Sequence, residues 1–89
     1  MSTPVGAKLE QLIRAFVGGL MLFPEYSRDF SETYIEQGEG LDDAEITLYG
    51  PVHERLEWTI ESPPAADRAW GWIEPTELRE WLVSHSSER

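Results

Sequence analysis

Val5, Leu9, Leu12, Ile13, Phe16, Val17 and Leu20 recur at spacings of three and four residues. That spacing places them on one face of an α-helix, and a chain with one strong apolar stripe must cover it with the rest of its fold. Thr3 can cap this helix, and Pro4 then takes its first position, where the missing N–H costs nothing. Lys8, Glu10, Gln11 and Arg14 fall off the stripe. The glycines Gly18 and Gly19 offer a C-terminal cap, but the apolar pattern continues, so the helix is expected over about residues 4–20.

A second helix is expected near residues 75–83. Pro75 starts it, Glu77 sits in its first turn, and Leu78, Trp81 and Leu82 form its stripe. Between the helices the pattern changes. Ile46 and Leu48 alternate with Thr47 and Tyr49, and Gly50-Pro51 interrupts the run. Leu56, Trp58 and Ile60 then alternate with Glu57, Thr59 and Glu61. This alternation predicts a β-hairpin, half-buried in an antiparallel sheet. Arg68 to Ile73 is expected to add a strand, with Trp70 and Trp72 on one face. Residues 24–43 stay open between a strand through Phe30, Thr33, Tyr34 and Ile35 and a short helix from Ser31-Glu32, followed by a loop.

The expected fold is therefore α+β: a small single domain, with an antiparallel sheet of three or four strands and both terminal helices packed on one face. The domain spans 1–89, and residues 84–89 are expected to be a frayed tail. In a chain of 89 residues the core is thin. Leu9, Leu12, Ile13, Phe16, Leu56, Trp58, Ile60, Leu78, Trp81 and Leu82 are expected to fill it.

Charge is the most uneven feature. Seventeen acids against seven lysines and arginines give a net charge of −10. Residues 29–54 hold eight acids and no lysine or arginine, and the window 29–61 carries nine of the ten net charges. Such a surface repels nucleic acid and anionic membrane and attracts cationic partners. The candidate partner-binding residues are Glu36, Glu39, Asp42, Asp43, Glu45, Glu57 and Glu61, with Trp70 and Trp72 as aromatic contacts. The loop Glu36–Asp43 has the oxygen ligands and glycines of a hard-cation site, but the EF-hand spacing is missing, so no metal is expected. The absence of cysteine excludes disulfides and thiol chemistry. His53 and His85 have no metal-ligand spacing, and no nucleophile elbow or phosphate loop occurs. No catalytic residue and no cofactor is expected.

The longest apolar run, residues 15–23, is too short to span a membrane, and the N-terminus lacks the pattern of a signal peptide. The chain is therefore expected in the cytoplasm. In size and acidity it is similar to small immunity, antitoxin and anti-defence proteins that bind basic nucleases. The leading expectation is a non-enzymatic acidic protein-binding module of inhibitor, immunity or anti-defence type. It would dock a basic surface, such as that of a nucleic-acid-binding protein, without touching nucleic acid itself. One alternative is a carbohydrate or small-ligand binder using exposed tryptophans. Another is an acidic accessory domain with no dedicated charge-based partner, able to pair as a homodimer.

Overall fold

The computed structural model describes residues 3–87. It contains five α-helices: α1 (Pro4–Val17), α2 (Phe23–Gln37), α3 (Asp43–Glu57), α4 (Ala65–Ala69) and α5 (Pro75–Ser87). A single 3-10 turn, Gly38–Gly40, links α2 to α3. The expected α+β fold is thus overturned. Among the described residues the only β-pairing is one isolated parallel bridge between Thr59 and Ile73.

Local chemistry explains α1 well. The Thr3 hydroxyl accepts from the Gly6 N–H at 3.0 Å, and Pro4 occupies the first turn. The helix stops at Gly18, three residues short of the expected end, because Gly19 adopts φ +79°, which favours glycine. Leu20 is consequently thrown outward and is 87% exposed.

Residues 24–43, left open by the sequence, are mostly helix. Pro24 sits in the first turn of α2, and Tyr26, Phe30 and Thr33 form its buried face. The 3-10 turn then delivers Asp42 to the N-terminus of α3. The Asp42 carboxylate accepts from the Glu45 N–H at 2.8 Å, and the Glu45 carboxylate accepts from the Asp42 N–H at 3.2 Å. This reciprocal capping box starts a helix where a strand was expected.

The first expected strand and its hairpin turn lie inside α3. Glu45, Tyr49, Val52 and Leu56 are its buried residues, at helical spacing. Pro51 sits inside the helix. An interior proline costs about 3 kcal/mol through a lost hydrogen bond and a clash with the preceding turn. Packing of Tyr49, Val52 and Leu56 into the core offsets that cost. The second expected strand, residues 56–61, keeps only its last part extended: α3 ends at Glu57, and Trp58 is its C-cap. The third, residues 68–73, is a short helix and a turn. Only Ile73 reaches an extended partner, donating to the Trp58 carbonyl at 2.9 Å and accepting from Ile60 at 3.0 Å.

Helix α5 runs beyond the expected residue 83 through Ser87, and residues 88 and 89 of the expected tail lie outside the described residues. Arg68 ties α4 to it through the Glu77 carboxylate at 2.6 Å.

The core joins Leu9, Ile13 and Phe16 of α1 to Tyr26 and Phe30 of α2, Tyr49, Val52 and Leu56 of α3, and Leu78 and Leu82 of α5. Of the expected core, Leu12 and Trp81 are half-buried and Ile60 is intermediate, whereas Trp58 is 42% exposed. Trp58 turns outward because α3 ends at Glu57, so the alternation that grouped it with Leu56 does not apply.

Candidate functional site

Helix α2 carries a buried aromatic face and, beside it, an acidic arc. Glu25, Asp29, Glu32 and Glu36 follow at spacings of four, three and four, so they share a narrow arc, about a quarter turn around the helix from the buried Tyr26, Phe30 and Thr33. Glu25, Glu32 and Glu36 are exposed and Asp29 is intermediate. Arg28 is the one lysine or arginine in α2. Its Nε lies 3.1 Å from the Asp29 carboxylate. The hydrogen bond to Asp29, and then the charges of Asp29, Glu32 and Glu25, hold the guanidinium more firmly protonated than usual. Glu39, Asp42 and Asp43 continue the exposed acidic surface through the 3-10 turn to the start of α3. Ile35, 70% exposed, and Leu22, 69% exposed, flank the charges.

The structure divides the sequence-derived candidates. Glu36, Glu39, Asp42 and Asp43 fall together at the α2–α3 junction. Glu57 and Glu61 lie at the other end of α3, roughly 20 Å away at 1.5 Å per helical residue. Trp70 and Trp72 belong to that far end.

Glu45, by contrast, does not belong to the exposed acidic surface. It is buried at 8% exposure. Its carboxylate accepts from the Thr3 hydroxyl at 2.8 Å, the Thr3 N–H at 3.2 Å and the Asp42 N–H at 3.2 Å. One carboxylate therefore joins the N-termini of α1 and α3. Burial opposes its ionisation, but the hydrogen bonds from Thr3 and Asp42 outweigh burial and hold its pKa below the usual 4.5. A Cβ at Gly6 would overlap the Glu45 carboxylate and displace it from its hydrogen bonds. Tyr49 reinforces the junction by donating toward the Gly6 carbonyl at 3.3 Å and the Glu10 carboxylate at 3.2 Å.

A second surface opens between α3 and α5. Pro51, Glu54, Arg55 and Trp58 of the α3 segment, with Gly71 and Trp81, line a groove of about 290 Å³. The Arg55 guanidinium lies over the Trp81 ring, 5.1 Å from its centroid. The His85 ring stacks on Trp81 at 4.7 Å, and His85 Nε2 is 3.1 Å from the Leu48 carbonyl. Trp72 packs on Trp58 at 5.1 Å. Trp70 is 79% exposed and stands outside the groove lining. The aromatic groove is thus made by Trp58 and Trp81, the two tryptophans expected in the core, and not by a Trp70–Trp72 strip.

Sequence reasoning passed over Glu25, Asp29 and Glu32 as a helical face, and Glu54 and Arg55 as groove residues. The signal for the first set was present in the four-three-four spacing. The groove had none, because it depends on α5 packing beside α3. Among the described residues no helix is long and apolar enough to cross a membrane. No family model, characterised protein or solved structure matches the chain.

Proposed function

We propose that this chain is a non-enzymatic protein-binding module that docks a basic protein surface through the exposed face of α2 and the α2–α3 junction. The observation that carries the reading is the division of α2 between an aromatic face and an acidic arc. Its buried side is aromatic and completes the core, while an arc about a quarter turn away gathers Glu25, Asp29, Glu32 and Glu36 beside the one arginine of the helix. A solvated helix surface more commonly mixes both signs of charge. Here Glu39, Asp42 and Asp43 extend the same sign, and Ile35 and Leu22 supply apolar contact beside it. A nucleic-acid-binding protein offers the complementary surface, with these carboxylates standing where phosphates would.

The test compares two charge-matched variants against a partner recovered on the immobilised chain at low salt and then purified. Glu32→Gln/Glu36→Gln removes two charges from the proposed face. Asp67→Asn/Glu80→Gln removes two from α4 and α5. Long-range attraction is screened as the Debye length falls from about 10 Å at 0.1 M salt to about 3 Å at 1 M. The α2 variant should associate more slowly and with a flatter salt dependence, while the control stays near the parent. Equal on-rates for the two variants would show that only net charge matters and would end the reading.

A further inference from the structure

We infer that the α3–α5 groove is a binding site for an arginine side chain, and that Arg55 is its resting internal occupant.

Three features of the groove point to a planar cation. First, it already holds one: the Arg55 guanidinium lies 5.1 Å from the Trp81 ring centroid. In a chain with ten excess negative charges, this arginine makes no ion pair among the described residues and rests on an indole instead. Indole is the best of the aromatic faces for a guanidinium. Second, the groove lies at the last turn of α3, where the helix dipole favours positive charge. Third, the groove has an acid of its own: Glu54 lines it and is exposed.

The volume of about 290 Å³ is at the lower limit for small-molecule sites, which suits one long side chain. Trp58 remains 42% exposed, so an indole surface stays open beside the occupied one. Arg55 is itself exposed and mobile in principle about its side-chain bonds, so an incoming arginine can take its place over Trp81. The like charge of Arg55 then leaves the groove as the new guanidinium enters. The new guanidinium reaches Glu54 as well as the indoles.

This inference rests on the proposed basic partner only for where the arginine comes from. The site itself is tested with a free probe, N-acetyl-arginine amide. Its titration is followed by tryptophan fluorescence and by the indole N–H resonances of an isotope-labelled sample. Saturable shifts at Trp58 and Trp81 in the millimolar range are expected, with the neutral isostere N-acetyl-citrulline amide giving none. Arg55→Gln empties the groove and should bind the probe about 2–5-fold more tightly, the scale of one exposed cation–π contact. Glu54→Gln should weaken binding while leaving the thermal midpoint near the parent, because Glu54 is exposed. Glu32→Gln/Glu36→Gln should bind the probe as the parent does, so loss of basic-partner docking at α2 is distinguishable from loss of the groove. Indole resonances that do not move, citrulline binding as well as arginine, or Arg55→Gln binding no more tightly than the parent would each overturn the assignment.

Discussion

Two aromatic clusters of this protein have opposite fates. Phe16, Tyr26 and Phe30 are fully buried, with Phe16 and Tyr26 stacked at 4.5 Å. Trp58, Trp72 and Trp81 also touch one another's neighbourhood, yet Trp58 is 42% and nearby Trp70 79% exposed. Residue type does not separate them, since tryptophan is at least as apolar in area as phenylalanine. The elements beneath them do. The first cluster lies on α1 and α2, two helices of 14 and 15 residues whose stripes face each other. Of the second, Trp81 is half-buried on α5, while Trp58, Trp70 and Trp72 lie past the end of α3, where the chain offers a five-residue helix and one β-bridge. Large aromatics become core only where continuous faces cover them from both sides. Where such faces are missing, they are left as surface that a ligand can use.

The sharpest way to break this contrast is truncation in each cluster. Phe16→Ala should cost about 3–5 kcal/mol, as for other fully buried phenylalanines. Trp70→Ala should stay within about 0.5 kcal/mol of the parent, as surface substitutions do. Paired chemical denaturation curves measure both, and comparable losses would erase the distinction between glue and surface.

The buried half also depends on a polar junction centred on Glu45. Gly6→Ala forces a methyl group into the Glu45 carboxylate and should cost about 1–3 kcal/mol, the range for overpacking. The same carboxylate makes stability pH-dependent. Its pKa in the folded protein lies below 4.5. Its contribution is therefore complete above 4.5 and is lost as the pH falls through the folded value. Thermal midpoints of the parent and Glu45→Gln should differ most near neutral pH and converge in acid. A gap of constant size across that range would separate Glu45 from the acid response.

The smallest effect expected in the buried cluster runs the other way. The Tyr26 hydroxyl is buried with no hydrogen-bond partner among the described residues, and burial pushes its pKa far above the ordinary value. Tyr26→Phe removes that unsatisfied group and keeps the stack on Phe16, so stability should hold or rise by about 1 kcal/mol. A clear loss in a melt would mean that the hydroxyl has a partner.

Which parts of this molecule could be read beforehand follows from the range of the forces involved. Helix α1 and the start of α5 were legible because a Thr3 cap, prolines at first positions and apolar repeats act within one turn. For α3 the same kind of local evidence misled. Ile46 and Leu48 alternate with polar neighbours as a strand would, and Gly50-Pro51 resembles a turn. The Asp42–Glu45 capping box was there to be read, but it weighs about 1 kcal/mol against a proline that costs about 3. Of the candidate site, the acidity of residues 29–54 was visible, but the grouping of Glu25, Asp29, Glu32 and Glu36 on one arc follows only once that segment is helical.

By itself the sequence determined an acidic chain with an amphipathic first helix, a helix starting at Pro75 and acids concentrated before residue 61, because composition and short-range periodicity need no partner. Only the tertiary structure decided that residues 43–57 are helical, that Glu45 points inward and that Trp58 points outward. Those outcomes turn on long-range packing. Burial of Tyr49, Val52 and Leu56 against α1, α2 and α5 outweighs the local cost of Pro51, and the end of α3 then leaves Trp58 and Trp81 around an open groove.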